Sequence, residues 1–333
     1  MEQYVIVGGG IAGLMAARSL KAAGIPFVGL EKSNSLGGRL EVGHHRLYEL
    51  NSTRFISSFI DDLEWETVED TPQERRKGSW VEAEADKGKE TIAEELFYMR
   101  SPFFIPKINF ADLVLRLGRN VKENFIFRKS VIGVDSENRK VICQDGTEFS
   151  YEKVVWCNSL ESLNRVWKGD KAPLLKVRGK AEDLHGGLNL DIEVDGEFLP
   201  GKNTVVFPFR FKDHKLRALG TQTPSGDHRS LHWLLFLPEV IAENREEVAK
   251  CVRTLRRELE KEFPEMKAAI KSERIVYLPA ISGEVPRRVK TLNLLPRVFY
   301  LGPEITIREE EGELRNIDVI VDNCKALQGI LQA

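Results

Sequence analysis

Tyr4-Val5-Ile6-Val7-Gly8-Gly9-Gly10-Ile11-Ala12-Gly13-Leu14 is the stretch that decides the fold. A β-branched run ends in three glycines, and Ile11, Leu14, Met15, Ala17 and Arg18 then recur at helical spacing up to Ala23. The reading is strand, tight turn, helix. Gly24 and Pro26 close the helix, and Phe27 to Leu30 form a second apolar strand ending on Glu31. Gly8, Gly10 and Gly13 spell GxGxxG in the context that a dinucleotide fingerprint needs. The first glycine permits the turn, the second lets backbone N–H groups approach a pyrophosphate at the positive helix end, and the third lets helix and strand pack closely. Glu31, a little over 20 residues after the first glycine, is placed to accept hydrogen bonds from a ribose diol and to repel a 2'-phosphate. A glycine-rich turn without a ligand is the bland alternative, and the acid in register argues against it.

The composition narrows the class of ligand. With 49 Lys and Arg against 51 Asp and Glu over 333 residues, the formal charge of -2 leaves no footprint for nucleic acid or an anionic membrane, so a small molecule is the expected partner. The length calls for about two lobes. Cys143, Cys157, Cys251 and Cys324 are widely spaced without a CxxC, which argues for free thiols and a reducing, cytoplasmic setting. No apolar run has the roughly 20 residues of a membrane span, and the early first strand leaves no room for a signal peptide.

Further along, residues 61 to 95, punctuated by Pro72, Gly78 and Gly88, suit an exposed part of a second lobe. Phe125 to Val134, Lys140 to Cys143, a turn at Asp145-Gly146, Thr147 to Phe149 and the run Val154 to Cys157 read as a β-meander with a return strand. Leu188 to Val194, Thr204 to Phe211, Leu216 to Thr221 and Leu231 to Leu237 supply strands for a second sheet. Between Asn244 and Phe263, Val248, Val252, Leu255 and Leu259 mark a helix with a capping signal at Asn244 and Glu247, ended by Pro264. Arg297 to Leu301 is the last strand, and Asn316 to Leu331 an amphipathic helix.

After Glu31 comes Lys32-Ser33-Asn34-Ser35-Leu36-Gly37-Gly38-Arg39. Together with the opening stretch it resembles the FAD-binding N-terminus of the flavin amine oxidase and protoporphyrinogen oxidase-like superfamily. The resemblance implies FAD, with Gly38 as a close backbone approach and Arg39 as a cation beside the pyrophosphate, where a guanidinium bonds well. Tyr48-Glu49-Leu50-Asn51-Ser52-Thr53-Arg54-Phe55 sits where the family has a segment like FDLGATRF along the flavin ring. Asn51 replaces the usual glycine, and either crowds the ring or donates a hydrogen bond to it. Val131 falls where the family contacts adenine with backbone groups, although an ordinary strand valine fits there equally. Near the C-terminus the family has a Gly-Asp pair; Gly302-Pro303-Glu304 stands in its place, with Glu304 as substitute acid. The helix opens Asn316-Ile317-Asp318 rather than with small residues, so Asp318 either faces the pyrimidine end of the flavin and opposes its reduction or points to solvent. The residues expected at the cofactor are Gly8, Gly10, Ile11, Ala12, Gly13, Glu31, Lys32, Gly38, Arg39, Asn51, Val131 and Glu304.

No catalytic residue is legible. None of Lys176, Lys180 or Lys290 matches the lysine that some relatives carry near the flavin. His44, His45, His185, His214, His228 and His232 show no metal spacing. Phe207, Phe209, Phe211, Trp233 and Phe236 read as core, with a substrate pocket as the alternative. The resemblance implies an α/β, two-lobed FAD-binding fold. Its Rossmann-like FAD domain with β-meander covers 1–45, 101–162 and 281–333, and a mixed α+β substrate domain covers 46–100 and 163–280. The implied activity is an FAD-dependent oxidoreductase that oxidises an amine or a partly saturated cyclic small molecule by hydride transfer. The rivals are a non-redox flavin-dependent mutase or isomerase, and a non-catalytic FAD-fold binding protein.

Overall fold

All four residues of the first strand, Tyr4–Val7, are buried, as a strand covered on both faces of a parallel sheet must be. A computed structural model describes residues 4–41, 45–83, 101–177, 184–200, 204–225, 227–282, 287–307 and 317–332. His44, Gly88, Lys180 and Asn316 lie outside them. The first sheet has the order β19 (Asn293–Leu295), β20 (Val298–Tyr300), β11 (Lys153–Trp156), β1 (Tyr4–Val7), β2 (Phe27–Leu30), β7 (Phe125–Ile126). All neighbours are parallel except β19 with β20. The chain runs outward from β1 through β2 to β7, then returns to the other side of β1 with β11 and β20. The strand order therefore reverses between β1 and β11, and in such sheets ligands bind beyond the carboxyl ends of the strands at that point.

Helix α1 (Ile11–Ala22) packs against the last helix, α6 (Ile317–Gln332), and against α3 (Phe110–Gly118). The Asn109 side chain caps α3 by accepting from Asp112 N at 2.8 Å. A four-stranded sheet, β10 (Glu148–Ser150), β9 (Lys140–Cys143), β8 (Val131–Asp135) and β12 (Trp167–Lys168), forms the meander. The strand expected over 125 to 134 is two strands. Arg128 turns the chain with φ 58°, and the N–H groups of Arg128 and Lys129 donate to the Ser33 and Glu31 carbonyls at 2.9 Å each.

The second sheet has seven strands in the order β17 (Ile270–Ser282), β13 (Leu184–Val194), β16 (His228–Pro238), β15 (His214–Ser225), β14 (Val205–Phe211), β4 (Gln73–Arg76), β5 (Ser79–Glu82). The polar segment before residue 84 thus contributes a hairpin to this sheet. Period-2 alternation puts Leu188, Leu190 and Ile192 of β13, Leu231, Trp233 and Leu235 of β16, and Phe207, Phe209 and Phe211 of β14 on one apolar face. Helix α5 (Arg245–Glu262) covers that face with Val248, Val252, Leu255 and Leu259. The Asn244 side chain caps α5, accepting from the N–H groups of Glu246 and Glu247 at 3.0 and 3.3 Å. Four of the five stripe aromatics are core here. Phe236 lies on the opposite face with Val206 and Leu219.

The core of the first lobe extends past the boundaries expected at residues 45 and 162. It takes in Leu47, Ile56 of helix α2 (Leu50–Ser57), Ile60 and Leu63, and also Leu163 of helix α4 (Leu160–Val166), Trp167 and Leu174. Two-stranded sheets of β3 (Trp65–Val68) with β6 (Phe103–Pro106), and of β18 (Arg287–Arg288) with β21 (Ile305–Thr306), complete the topology. Among the described residues, no helix is long and apolar enough to cross a membrane. All four cysteines are free thiols.

Candidate functional site: a dinucleotide cradle at the switch point

The three fingerprint glycines have different reasons to be glycine. Gly8 takes φ +108°, and a Cβ on it would lie 3.0 Å from the Asn158 amide oxygen. Gly13 allows no side chain at all, since its Cβ would sit 1.9 Å from the Gly8 carbonyl oxygen. Gly10 is the contrast: a Cβ there would meet nothing nearer than the Gly37 carbonyl oxygen at 3.8 Å. The protein's own packing does not require that glycine. What its bareness does is leave the backbone open at the start of α1. Gly10 is the N-cap residue, it provides no side-chain cap, and no acid occupies the first turn, so the positive end of a 12-residue helix is left for an external anion.

Glu31 is buried, and its carboxylate accepts from Gly9 N at 2.6 Å and from Ser33 N at 2.8 Å. Each oxygen keeps a lone pair after these bonds, so the anchored carboxylate retains acceptor capacity for a ribose diol. The loop after it folds back on the turn. Gly37 N donates to the Gly9 carbonyl at 2.8 Å, and Gly38, at φ +55°, would place a Cβ 3.3 Å from the Gly10 Cα. Leu36 packs under Gly9. Lys32 and Arg39 are exposed at the rim, and the positive field of Arg39 extends to Tyr300 and Glu304 beneath. Ile11 and Ala12 belong to the first turn of α1 and are buried. Val131 is the half-buried first residue of β8, two positions beyond the Lys129 that bonds the Glu31 carbonyl. The structure thus gathers Gly8, Gly10, Ile11, Ala12, Gly13, Glu31, Gly38 and Arg39 around one turn, with Val131 two residues beyond the backbone contact to Glu31.

The structure also places Asn51, Glu304 and Asp318. Asn51, which replaces the glycine of the family segment, is an exposed residue in the first turn of α2. Glu304 does not present its carboxylate as the substitute acid at the surface of the cradle. The residue is half-buried, with its carboxylate turned inward to accept from the Tyr300 hydroxyl and from Leu160 N at 3.2 Å, and desolvation pushes both its carboxyl and the Tyr300 phenol up. It braces the wall behind Gly8, where Gly302 leaves no room for a Cβ between Tyr300 and Asn158. Asp318 does not point to solvent. It is 1% exposed and accepts from the N–H groups of Tyr48 and Glu49 at 2.9 and 3.2 Å, which ties the start of α6 to the N-terminus of α2.

Sequence reading missed Asn158, whose side chain lies against Gly8 and donates to the Val7 carbonyl at 3.3 Å. Its signal was available: it is the second residue after β11, at the carboxyl end of a strand bordering the switch point. It also missed a cluster between the lobes. There the buried Arg46 guanidinium donates to the Thr204 hydroxyl at 2.6 Å and pairs with Asp70 at 3.6 Å, and Thr204 N donates to Asp70 at 2.9 Å. Nothing in the sequence signals partners so far apart. Among the described residues, no group of three or more His, Cys, Asp or Glu could hold a metal.

The fit to known proteins is of the same kind. Residues 6–51 match the NAD(P)-binding Rossmann-like domain family. No curated protein matches the chain. Among solved structures, an oxidoreductase from Methanosarcina mazei superposes with TM-score 0.70 at 10% identity, covering 98% of this chain and 100% of that one. Cyclohexylamine oxidase from Brevibacterium oxydans gives 0.66 at 11% identity, covering 99% and 98%. Reduced UDP-galactopyranose mutase gives 0.66 at 12% identity, covering 100% and 94%. At these identities the likeness concerns the fold. The chain therefore carries a Rossmann-like nucleotide-binding unit at the head of a two-lobed α/β fold that an oxidoreductase, an amine oxidase and a sugar-nucleotide mutase share.

Proposed function

We propose that the protein is an FAD-dependent oxidoreductase of the amine oxidase type, acting on an amine or a partly saturated cyclic small molecule. The observation that carries this reading is Gly10, bare for no reason of internal packing at the uncapped end of α1, with Glu31 anchored beside it. The Gly37-Gly38-Arg39 loop folded onto that turn favours FAD over NAD, because its resemblance to the flavin family covers the same residues. Bound FAD would supply the electron sink, accepting a hydride equivalent from a substrate carbon. The chain's own part is to hold and orient. The first-turn N–H groups of α1 and the Arg39 guanidinium bind the pyrophosphate, Glu31 binds the ribose diol, and the polar face of the seven-stranded sheet, across Arg46, bounds the substrate space. The lobe that does this comprises 1–45, 101–162 and 281–333 together with α2 and Leu163 to Leu174. A reducing, cytoplasmic location goes with this reading and is supported by the four free thiols.

The test is cofactor extraction and chromatography, with visible spectra under air and under anaerobic reductants. Expected are bound FAD and its bleaching by a suitable amine. Saturating FAD that gives neither bound flavin nor thermal stabilisation, while NAD gives the shift expected of ligand linkage, would refute the proposal. A second reading, a non-redox mutase, is favoured by the fit over the whole chain to the reduced mutase. Turnover only after prereduction would single it out.

A further inference from the structure

Between the lobes lies a small cavity of about 20 Å³, lined by Arg46, Asn189, Thr204, Thr221, His232 and Trp233 among others. It opens on the face of the seven-stranded sheet that α5 does not cover. Register puts Thr221, His232 and Asp191 side by side across β15, β16 and β13, and Asn189 one step along the same face. The cavity also borders the cofactor lobe: the ring of His45, next to Arg46 in the chain, is held by the Arg39 carbonyl at 2.8 Å.

Two features define what the cavity would hold. The first is charge. Arg46 is answered by Asp70, and the His232 ring is bonded through Nδ1 to Asp191 at 2.9 Å and through Nε2 to the Thr223 hydroxyl at 3.3 Å. Each charged group faces an opposite one, so the site does not select a carboxylate or an ammonium ion. The second is an unmet hydroxyl. Thr221 is 8% exposed, and its Oγ1 has no hydrogen-bond partner among the described residues. A buried hydroxyl in that state is unusual in a native protein and points to a missing partner. The volume admits one group of about the size of water. A ligand hydroxyl meets these conditions, since it is neutral, small, and both donates and accepts.

We propose that this cavity, through Thr221 and Asn189 beside the His232 ring that Asp191 and Thr223 hold in place, is a recognition subsite for one hydroxyl group of the substrate, making that substrate a hydroxylated ring compound rather than an unsubstituted apolar amine. The inference rests on the flavoenzyme reading and deepens it. A subsite with its own polar groups to satisfy discriminates strongly against the analogue that lacks the hydroxyl.

The test uses flavin-loaded protein and paired probes differing by one hydroxyl: 4-aminocyclohexanol with cyclohexylamine, and D-galactose with 2-deoxygalactose and with D-fucose. Binding is followed by thermal shift and by soaked crystals, and flavin content is measured on the same samples. The hydroxylated member of at least one pair is expected to bind about tenfold more tightly, with its hydroxyl on Thr221. That preference should vanish in Thr221→Val and survive in Thr221→Ser. Flavin-loaded protein that shows no preference in any pair, with only an ordered water in the cavity, overturns the subsite. A preference that persists in Thr221→Val overturns it too. A preference in protein that cannot be loaded with flavin supports the subsite and refutes the flavoenzyme reading instead.

Discussion

Replacing Asp318 by Asn should flatten the pH dependence of stability between pH 5 and 7. Burial raises the Asp318 carboxyl from 3.8 to about 6, and the Ser52 side chain and the N–H groups of Tyr48 and Glu49 offset this only in part. The folded pKa lies above the unfolded one, so the stability contributed by the protonated form is complete below about 3.8 and is lost as pH rises through about 6. At about 1.4 kcal/mol per pH unit, the loss totals roughly 3 kcal/mol by neutrality, of which roughly 1 kcal/mol falls between pH 5 and 7. Glu304, also pushed up by burial, acts in the same direction in both proteins and cancels in their difference. Urea unfolding of wild type and Asp318→Asn at pH 5 and pH 7 measures that difference directly. Wild type should lose about 1 kcal/mol more than the variant over the interval. Equal losses would mean that the carboxyl titrates alike in both states and is not the buried, doubly hydrogen-bonded group described.

The glycines of the fingerprint should separate by substitution. Gly13→Ala should fail to fold or should melt far below wild type, because its Cβ would collide with the Gly8 carbonyl; circular dichroism decides. Gly10→Val should keep the melting temperature of the flavin-free protein within a few degrees while abolishing FAD binding, and equal FAD titrations for the two folded proteins would remove the assignment. Glu31→Ala should weaken FAD binding by about 1 to 3 kcal/mol, read by the same titration. In the second lobe, Leu255→Ala opens a cavity under α5 and should cost about 2 to 5 kcal/mol in denaturant unfolding, and a loss below ~1 kcal/mol would contradict the burial of that side chain.

The βαβ unit could be read in advance because its logic is local: Gly8, Gly10, Gly13 and Glu31 follow one another along its strands, turn and helix. The α5 helix was legible for the same cause, since Asn244 and the Val248 to Leu259 period carry their own start and face. The break at Arg128 was not, because a β-rich run conceals a turn whose partners are the Ser33 and Glu31 carbonyls, far back in the chain. Asp318 escaped for a stronger reason: its bonding partners are 270 and 269 positions away, and no periodicity records such a contact. Arg46, Asp70 and Thr204 are three surface-type residues until the fold buries them together.

The order of strands in the first sheet also governs how the chain can mature. β20 is the neighbour of β11, and α6 covers α1, yet both come from the last part of the chain. The seven-stranded sheet, by contrast, is supplied in full once Ser282 has been made. During synthesis the later lobe can therefore close first, while β11 waits with an unpaired edge and Cys324 has yet to meet the Ala12 carbonyl. A ribosome that stalls after residue 282 would release a chain with a finished sheet and an open nucleotide fold, the form in which edge pairing between molecules competes with completion.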